Sequence, residues 1–238
     1  MIIEGSISVK AAITNSKREV TKVYIDKSKK TKDFNYIRKL VKNNNIELIE
    51  TTKEELTKLS SGKSFGGILA EATNRKYDEL KEGDIFYFDG IEDPFNLGYM
   101  MRNVYAFGIN NVLLTKRDYT NMESQLLKSS AGAYDMLNIS LIDNEEKTLK
   151  ELKEKGYHIY ALKRGEDSKD IFNEEFKEKA LFMIGGEKRG IKKEILKLAD
   201  TYLYIPYGQE FRNSLNATNA LAVVSTLLFK QRKKWLHH

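Results

Sequence analysis

The sequence contains no cysteine, three histidines and two prolines among its 238 residues. A chain without cysteine forms no disulfide and offers no thiolate to a metal ion, and two of the three histidines are the last two residues. We therefore expect no metal site. The longest apolar-leaning run, residues 220–229, is shorter than the roughly 20 residues that a membrane span requires, and Glu4 interrupts the apolar start. These absences predict a soluble, cytoplasmic protein.

Positive charge is concentrated in the first third of the chain. Residues 1–80 contain 16 lysines and arginines against 11 aspartates and glutamates, an excess of +5, whereas residues 81–238 contain 24 against 23, an excess of +1. A basic module of this kind is typical of proteins that bind phosphates, although lysines that serve solubility produce the same count. The charge distribution leaves nucleic-acid binding and a solvated surface as equal alternatives.

Apolar periodicity predicts two α/β domains. The first alternating set has strands at 20–25, 46–50 and 66–72 and helices near 35–42 and 53–59. A charged, weakly apolar stretch follows, so we predict a first domain at 1–74, a linker at 75–83 and a second domain at 84–238.

The second domain repeats the alternation with longer apolar runs. Strands are predicted at 84–90, 110–115, 138–142, 157–162, 180–186 and 201–206, and helices at 97–107, 121–130, 149–155, 192–198 and from about Ser214. Strands that alternate with helices indicate a mainly parallel sheet with helices on both faces. Ligands of such sheets bind beyond the carboxyl ends of the strands.

Three polar segments lie where such strands end. In "DGIEDPFNLGYMMRN" (89–103), Asn96 is placed to cap a helix that starts at Leu97, and Gly98 and Arg102 share one face of that helix. A capped helix with an exposed arginine is the alternative. The segment "LFMIGGEKRGI" (181–191) has glycines at a strand end, where they permit close approach of a ligand or form a plain turn.

The third segment, "NSLNATNALAVVSTLLF" (213–229), opens an apolar helix with several small polar residues. An N-cap at Asn213 or Ser214 accounts for one polar residue of this entrance. The segment has four such residues within seven positions, Ser214, Asn216, Thr218 and Asn219. A cap does not require so many, so the segment is a candidate site.

Taken in order, the three segments resemble the signature motifs of the SpoU (TrmH) family, the S-adenosylmethionine-dependent RNA ribose 2′-O-methyltransferases of the SPOUT superfamily. The motif residues are Asn96, Gly98 and Arg102 in the first segment, Gly185, Glu187 and Gly190 in the second, and Ile205, Pro206, Ser214, Leu215 and Asn216 in the third. The first domain resembles the family's ribosomal-protein-like substrate-binding domain, whose closing strand corresponds to "FGGILAE" (65–71).

The resemblance implies a particular architecture and assembly. It implies an α/β fold in which a parallel-sheet SPOUT domain with a deep C-terminal trefoil knot follows a small α/β RNA-binding domain. It also implies a homodimer that packs the knotted domains together and completes each active site near that interface.

The resemblance further implies roles for individual residues. The cofactor S-adenosylmethionine would be held by Leu162, Gly185, Gly186, Ile205 and Leu215. The catalytic set would be Arg102, Asn96, Glu187, Ser214 and Asn216. In this set Arg102 binds the phosphate of the target nucleotide and is the family's proposed base, while a phosphate-assisted or water-mediated proton path is equally compatible. Glu187 either anchors the glycine loop or pairs with an arginine.

We therefore expect an enzyme that methylates a ribose 2′-hydroxyl of structured RNA, with ribosomal RNA favoured over transfer RNA and no DNA or membrane partner. A base-modifying methyltransferase of the same superfold is a second interpretation. A non-catalytic RNA-binding or assembly factor that retains the fold is a third. Asn213, just before the third motif, and Thr218 and Asn219, just after it, depart from the family pattern.

Overall fold

The computed structural model describes residues 1–60, 62, 65–187, 189–210 and 212–235. The strands are β1 Ile2–Glu4, β2 Val20–Asp26, β3 Glu47–Thr51, β4 Ile68–Ala72, β5 Ile85–Asp89, β6 Asn111–Thr115, β7 Asn138–Ile142, β8 His158–Leu162, β9 Lys169–Asp170, β10 Ala180–Gly185 and β11 Thr201–Tyr204. The helices are α1 Ser6–Asn15, α2 Lys32–Asn43, α3 Lys53–Leu59, α4 Pro94–Ala106, α5 Glu123–Ser129, α6 Ala133–Met136, α7 Glu145–Glu154, α8 Lys193–Leu196 and α9 Ala217–Trp235. None of the helices in the described ranges is both long enough and apolar enough to cross a membrane.

Helix starts are where the structure corrects the sequence prediction. Helix α4 begins at Pro94, because the Asp93 side chain accepts a hydrogen bond from the Asn96 N–H at 2.8 Å. The predicted cap at Asn96 is therefore wrong. Helix α9 begins at Ala217, three residues later than predicted, because the Asn216 Oδ1 accepts from the Asn219 N–H at 2.8 Å.

Two elements near the start of the chain have no counterpart in the prediction, β1 and α1. Helix α1 has no side-chain cap at Gly5 and no acidic residue in its first turn. It buries the small residues Ser8, Ala11 and Ala12 beside Val9 and Ile13. Such a helix lacks both the start signal and the clear apolar stripe on which sequence reasoning depends.

The contacts divide the chain into two compact units. The first unit contains Met1–Lys76 and Asp118–Met136, and the second contains Tyr77–Arg117 and Leu137–His238. The segment Asp118–Met136 therefore packs with the first unit, although the sequence prediction placed it within residues 84–238. Its periodicity marks a helix correctly but carries no information about the partner against which that helix packs.

The first unit contains a four-stranded sheet in the order β1-β4-β2-β3. Strands β2 and β3 are parallel, whereas β4 is antiparallel to both β1 and β2. Fully buried apolar side chains line this sheet and its helices, among them Ile3, Val23, Ile37 and Leu69.

The second unit contains a seven-stranded sheet in the order β7-β6-β5-β10-β8-β11-β9, and every neighbouring pair is parallel. This agrees with the predicted α/β class. From β5 the chain builds outward through β6 and β7, and the later strands lie on the other side of β5. The order reverses between β5 and β10, which is where open parallel sheets bind ligands.

A buried ion-pair cluster holds Asp118–Met136 to the rest of the first unit. The Arg18 guanidinium donates to both Asp135 oxygens at 2.8 and 2.9 Å and to Glu123 Oε2 at 2.7 Å. The three side chains are at most 3% exposed. Burial by itself lowers the pKa of Arg18, but the hydrogen bond and charge of Asp135, together with Glu123, raise it above its ordinary value. Arg18 therefore stays charged inside the unit.

We expect Arg18→Met to lower the free energy of unfolding by about 3–5 kcal/mol, because it leaves two buried carboxylates without their cation. Urea denaturation followed by circular dichroism measures this loss. The matched control is Arg38→Met, whose pair with Glu50 spans 2.7 Å but is 22% and 48% exposed. The control should lose less than about 1 kcal/mol. Equal losses in the two variants would contradict the role assigned to the buried cluster.

Candidate functional site

A cavity of about 290 Å³ lies at the carboxyl ends of β8, β10 and β11 in the second unit. Its walls come from the residues that follow these strands and from the start of α9. The apolar part of the wall includes Leu162, Ile184, Leu203, Ile205 and Leu215. Glu187 is the one carboxylate among its described lining residues, and Lys163 and Arg164 are the cations.

Glycines form one side of this cavity because stretches of backbone approach each other too closely for side chains. A Cβ atom on Gly185 would lie 2.3 Å from the Gly190 carbonyl carbon and from the Ile191 nitrogen. One on Gly186 would lie 2.4 Å from the Gly90 oxygen. Backbone hydrogen bonds from Gly186 N to Asp89 O and from Gly190 N to Gly186 O, each 2.8 Å, hold this arrangement. The cavity therefore presents peptide groups to a ligand.

A second cavity, also of about 290 Å³, adjoins the first. The two share Gly186, Glu187 and Ala217 as a common wall. On its other sides the lining of the second cavity includes the acidic Glu92 and Asp93, the amide of Asn96 and the guanidinium of Arg189. Two ligands bound in these cavities would face each other across Glu187.

Asp89 organises the wall of the second cavity from beneath. Its carboxylate is fully buried and accepts from the Lys192 N–H at 2.7 Å and from Arg189 Nη2 at 3.3 Å. The Arg189 guanidinium lies flat against Gly90, where a Cβ atom would be only 2.7 Å from Nη2. A side chain at position 90 would therefore displace this guanidinium.

A neighbouring carboxylate fixes the Lys192 side chain. Burial by itself raises the pKa of Glu145, but hydrogen bonds from Lys192 and Thr115 bring it below its ordinary value. The Lys192 ammonium lies 2.5 Å from Glu145 Oε1. The loop that carries the second motif is thus tied to the sheet by its backbone and by its side chains.

The structure brings most of the residues predicted from sequence to these cavities. The first cavity is lined by all five predicted cofactor-binding residues and by two predicted catalytic residues, namely Leu162, Gly185, Gly186, Ile205 and Leu215 with Glu187 and Ser214. Asn96 lines the second cavity, and its Nδ2 lies 3.5 Å from Glu187 Oε1. Their placement is consistent with the predicted roles, which stay predictions.

Two predicted catalytic residues lie elsewhere. Arg102 is exposed on α4, lines neither cavity and forms no hydrogen bond or ion pair with any residue that the structure describes. The Asn216 side chain caps α9 instead of lining a cavity. This cap also explains part of the polar entrance, because the backbone N–H of Asn219 is its donor. The Thr218 hydroxyl is buried and has no hydrogen-bond partner within the described ranges, and we have no physical account of it.

Sequence reasoning missed several side chains of the site, among them Arg164 and Tyr207 on the first cavity, Arg189 on the second and Asp89 beneath it. Arg164 and Tyr207 each follow a parallel strand within three residues, so their positions after β8 and β11 were a usable signal. The pairing of Arg189 with Asp89 could not be predicted from the sequence, because it joins positions 100 residues apart.

Comparison with known proteins accounts for nearly the whole chain. Residues 84–226 match the SpoU rRNA Methylase family, and residues 2–78 match the family described as RNA 2′-O ribose methyltransferase substrate binding. The mitochondrial rRNA methyltransferase 1 of Schizosaccharomyces pombe is 27% identical over 92% of this chain and 86% of its own. Relatives in Staphylococcus aureus, 28% identical over 97% of this chain and 96% of theirs, carry a TrmH family name that gives both tRNA and rRNA.

The fold has a close counterpart among solved structures. The SpoU methyltransferase AviRb from Streptomyces viridochromogenes, solved in complex with AdoMet, superposes with a TM-score of 0.79 at 18% identity, covering 98% of this chain and 90% of its own. Because the family matches extend over both parts of the chain, the protein belongs to the SpoU (TrmH) family of S-adenosylmethionine-dependent RNA methyltransferases.

Proposed function

We propose that the protein methylates a ribose 2′-hydroxyl of structured RNA, with ribosomal RNA favoured over transfer RNA. The observation that carries the proposal is the pair of adjoining cavities with Glu187 in their common wall. One cavity suits a methyl donor and the other suits the acceptor nucleotide. The separate basic substrate-binding region supports a structured target, and the S. pombe relative is named for rRNA.

The first cavity fits S-adenosylmethionine. Apolar side chains such as Leu162 and Leu215 suit the faces of a base, and the backbone at Gly185 and Gly186 suits its polar edge. When bound, the cofactor supplies an electrophilic methyl group on a positively charged sulfur. Glu187, the carboxylate of this lining, suits that positive charge.

The second cavity fits a ribose. Asn96 and Glu187, 3.5 Å apart, offer an amide and a carboxylate that can hydrogen-bond sugar hydroxyls and align the reacting oxygen. A guanidinium stays protonated near neutral pH, so Arg102 is assigned to the target phosphate. The hydroxyl proton then leaves through that phosphate or through water.

Transfer of labelled methyl groups tests this function directly. We expect the protein to methylate total RNA from a strain that lacks it, at positions that map as 2′-O-methyl sites. Arg102→Ala should abolish transfer while cofactor affinity, measured by calorimetry, stays within about tenfold, a difference of roughly 1.4 kcal/mol. Intact cofactor binding by the wild-type protein without transfer to any RNA would contradict the enzymatic proposal. An equal loss of cofactor binding in the variant would contradict the role of Arg102.

We also propose a homodimer in which Arg102 of one subunit serves the cavities of the other. Arg102 lies outside both cavities of its own chain, on a face of α4 where Phe95 and Tyr99 are 47% and 45% exposed. These three residues are spaced as i, i+4 and i+7, so they form one stripe. An exposed stripe of aromatic residues beside an arginine is typical of a protein interface.

The proposed trefoil knot concerns the last part of the second unit. Strands β8, β10 and β11 lie on one side of β5, and the chain then returns in α9 to pack on α4, with Phe229 and Phe107 rings 5.9 Å apart. This return path and the family resemblance support a threaded C-terminal segment. The same return places α9 beside the proposed dimer stripe.

Co-expression of two inactive variants tests whether Arg102 acts across subunits. Gly185→Ala should lose cofactor binding, because the added methyl group would lie 2.3 Å from the backbone at positions 190 and 191. We expect mixed dimers of Gly185→Ala and Arg102→Ala, purified through two different tags, to regain up to about half of the wild-type rate, since one complete site forms per dimer.

Homodimers of each variant are the negative controls, and dimers of wild type with Gly185→Ala set the rate expected of a single complete site. Mixed dimers without activity would show that Arg102 serves its own chain, because neither subunit then contains an intact pair of groups.

We further propose that a lysine-rich edge of the first unit contacts the RNA backbone. The edge consists of Lys27, Lys29, Lys30, Lys32 and Lys53. Within the described ranges none of these five forms an ion pair, whereas Lys10, Lys22 and Lys58 each do. Several lysines that form no ion pair on one edge are the pattern expected for binding to phosphates.

Backbone contacts bring the loops of this edge together. Asp26 N donates to Gly67 O at 3.0 Å and Lys27 N to Thr51 O at 2.9 Å, so the segments after β2 and β3 meet the turn before β4. Hydrogen bonds from the Ser28 N–H and hydroxyl hold the pKa of the Asp26 carboxyl below its usual range, and the charges of Lys29 and Lys53 add to this. Tyr36, one turn after Lys32, is 55% exposed and suits stacking with an unpaired base.

Removing two lysines of this edge should weaken RNA binding about tenfold and reduce the slope of log affinity against log salt by about 1.4–1.8. The variant is Lys27→Ala with Lys30→Ala, measured by filter binding at several KCl concentrations. The control is Lys42→Ala with Lys58→Ala, which removes the same charge from the last turns of α2 and α3. Equal weakening by the two pairs would refute a localised contact.

A further inference from the structure

Tyr207 is hydrogen-bonded to the loop that forms one wall of the first cavity. This loop, residues 208–215, connects the segment after β11 to α9. All of its residues whose burial the structure describes are exposed. Yet Ser214 and Leu215, at its end, line the first cavity. Leu215 itself is 37% exposed, so burial of its own side chain does little to fix its position.

The Tyr207 hydroxyl provides that connection. It accepts a hydrogen bond from the Leu215 N–H at 2.8 Å and so closes the loop between positions eight residues apart. The Tyr207 ring itself lies in the wall of the first cavity. The hydroxyl therefore fixes the backbone of Leu215 relative to a residue that directly follows Ile205 and Pro206.

Arg164 supports the same loop from the segment after β8. Its guanidinium lies over the Tyr207 ring, with Cζ 4.7 Å from the ring centroid. Its Nη1 also points to the carbonyl oxygens of Arg212 and Asn213 at 3.5 and 3.4 Å. These contacts are long for hydrogen bonds, so the stacking on the ring is the stronger link.

We propose that Tyr207 is a positioning residue for cofactor binding. Its hydroxyl and the Arg164 guanidinium hold residues 212–215 in the conformation that places Ser214 and Leu215 against the ligand. Prior ordering of the loop removes an entropic cost that would otherwise be met at each binding event. This inference rests on the assignment of the first cavity to S-adenosylmethionine.

The competing possibility makes the opposite prediction. If the cofactor needed the Leu215 N–H, which the Tyr207 hydroxyl accepts from, removal of this hydroxyl would tighten cofactor binding. If it orders the loop, its removal weakens binding. The sign of the change in Kd separates the two.

Tyr207→Phe is the decisive variant, because it removes one hydroxyl and leaves the ring for Arg164. Calorimetric titration with S-adenosylmethionine should show a Kd about fivefold to tenfold higher than in the wild type, as expected for the loss of one neutral hydrogen bond. Without cofactor, trypsin should cleave after Arg212 faster than in the wild type. In transfer assays the KM for the cofactor should rise by a similar factor while kcat stays within about twofold.

Tyr202→Phe is the matched control. Tyr202 lies two residues before Tyr204 in β11, outside the cavity lining, and its hydroxyl donates to the Leu196 carbonyl at 3.3 Å. This variant should leave both the Kd and the cleavage after Arg212 unchanged. A second variant, Arg164→Ala, should weaken binding in wild type but much less in the Tyr207→Ala background, because the ring that it contacts is gone.

Unchanged or tighter cofactor binding in Tyr207→Phe, with wild-type cleavage after Arg212, would overturn the inference. Failure of the wild-type protein to bind S-adenosylmethionine would instead overturn the assignment of the cavity. The wild-type titration therefore distinguishes an error in the proposed function from an error about Tyr207.

Discussion

The close approach of backbone at the end of β10 is the constraint on which the site depends. Gly185 packs against the peptide between Gly190 and Ile191, and Gly186 packs against Gly90, at distances that no Cβ atom could occupy. These contacts fold the second motif back on itself and bring it beside the loop after β5. The two cavities exist because of this arrangement, since Gly186 and Glu187 form the wall between them. Asp89, buried beneath, stabilises the same point through Arg189 and the Lys192 backbone.

The groups proposed to act on a large substrate are distributed differently from those proposed to hold the cofactor. The first cavity is built from peptide groups and apolar side chains of one unit, which suits a small ligand of constant shape. Arg102 and the lysine-rich edge are exposed instead, as groups must be if they meet an RNA or a second subunit. This difference explains why an exposed arginine on α4 and a glycine-lined cavity can belong to one reaction. It would also give the proposed homodimer a chemical purpose, because the cavities contain only part of the proposed machinery.

Electrostatics inside the first unit serves a structural purpose. Arg18 joins Glu123 and Asp135, which lie more than 100 positions away in the sequence, and thereby assigns Asp118–Met136 to this unit. A buried ion pair of this kind contributes less to stability than an apolar contact of equal size, but it strongly penalises any arrangement that separates its members. The cluster therefore selects where the segment packs. Tyr207 does something similar on a smaller scale, since one hydroxyl selects the conformation of an exposed loop.

Much of the fold and of the candidate site could be predicted from the sequence, because these features depend on local sequence patterns. Alternating apolar runs predicted six of the seven strands of the parallel sheet. The second and third motifs identified residues of the first cavity, since residues at the carboxyl ends of parallel strands must meet at one edge. The remaining features depend on which side chains are neighbours in the folded chain. The caps of α4 and α9 depend on which side chain lies close enough to accept a hydrogen bond from a free backbone N–H. At α4 this is Asp93 and not Asn96, and at α9 it is Asn216, which therefore does not line a cavity. Arg18 contacts Glu123 and Asp135, and Arg164 contacts Tyr207, across long separations in the sequence. The exposure of Arg102 likewise depends on how the folded chain packs around α4. The apolar periodicity of the sequence does not predict such contacts, because only the folded chain brings those residues together.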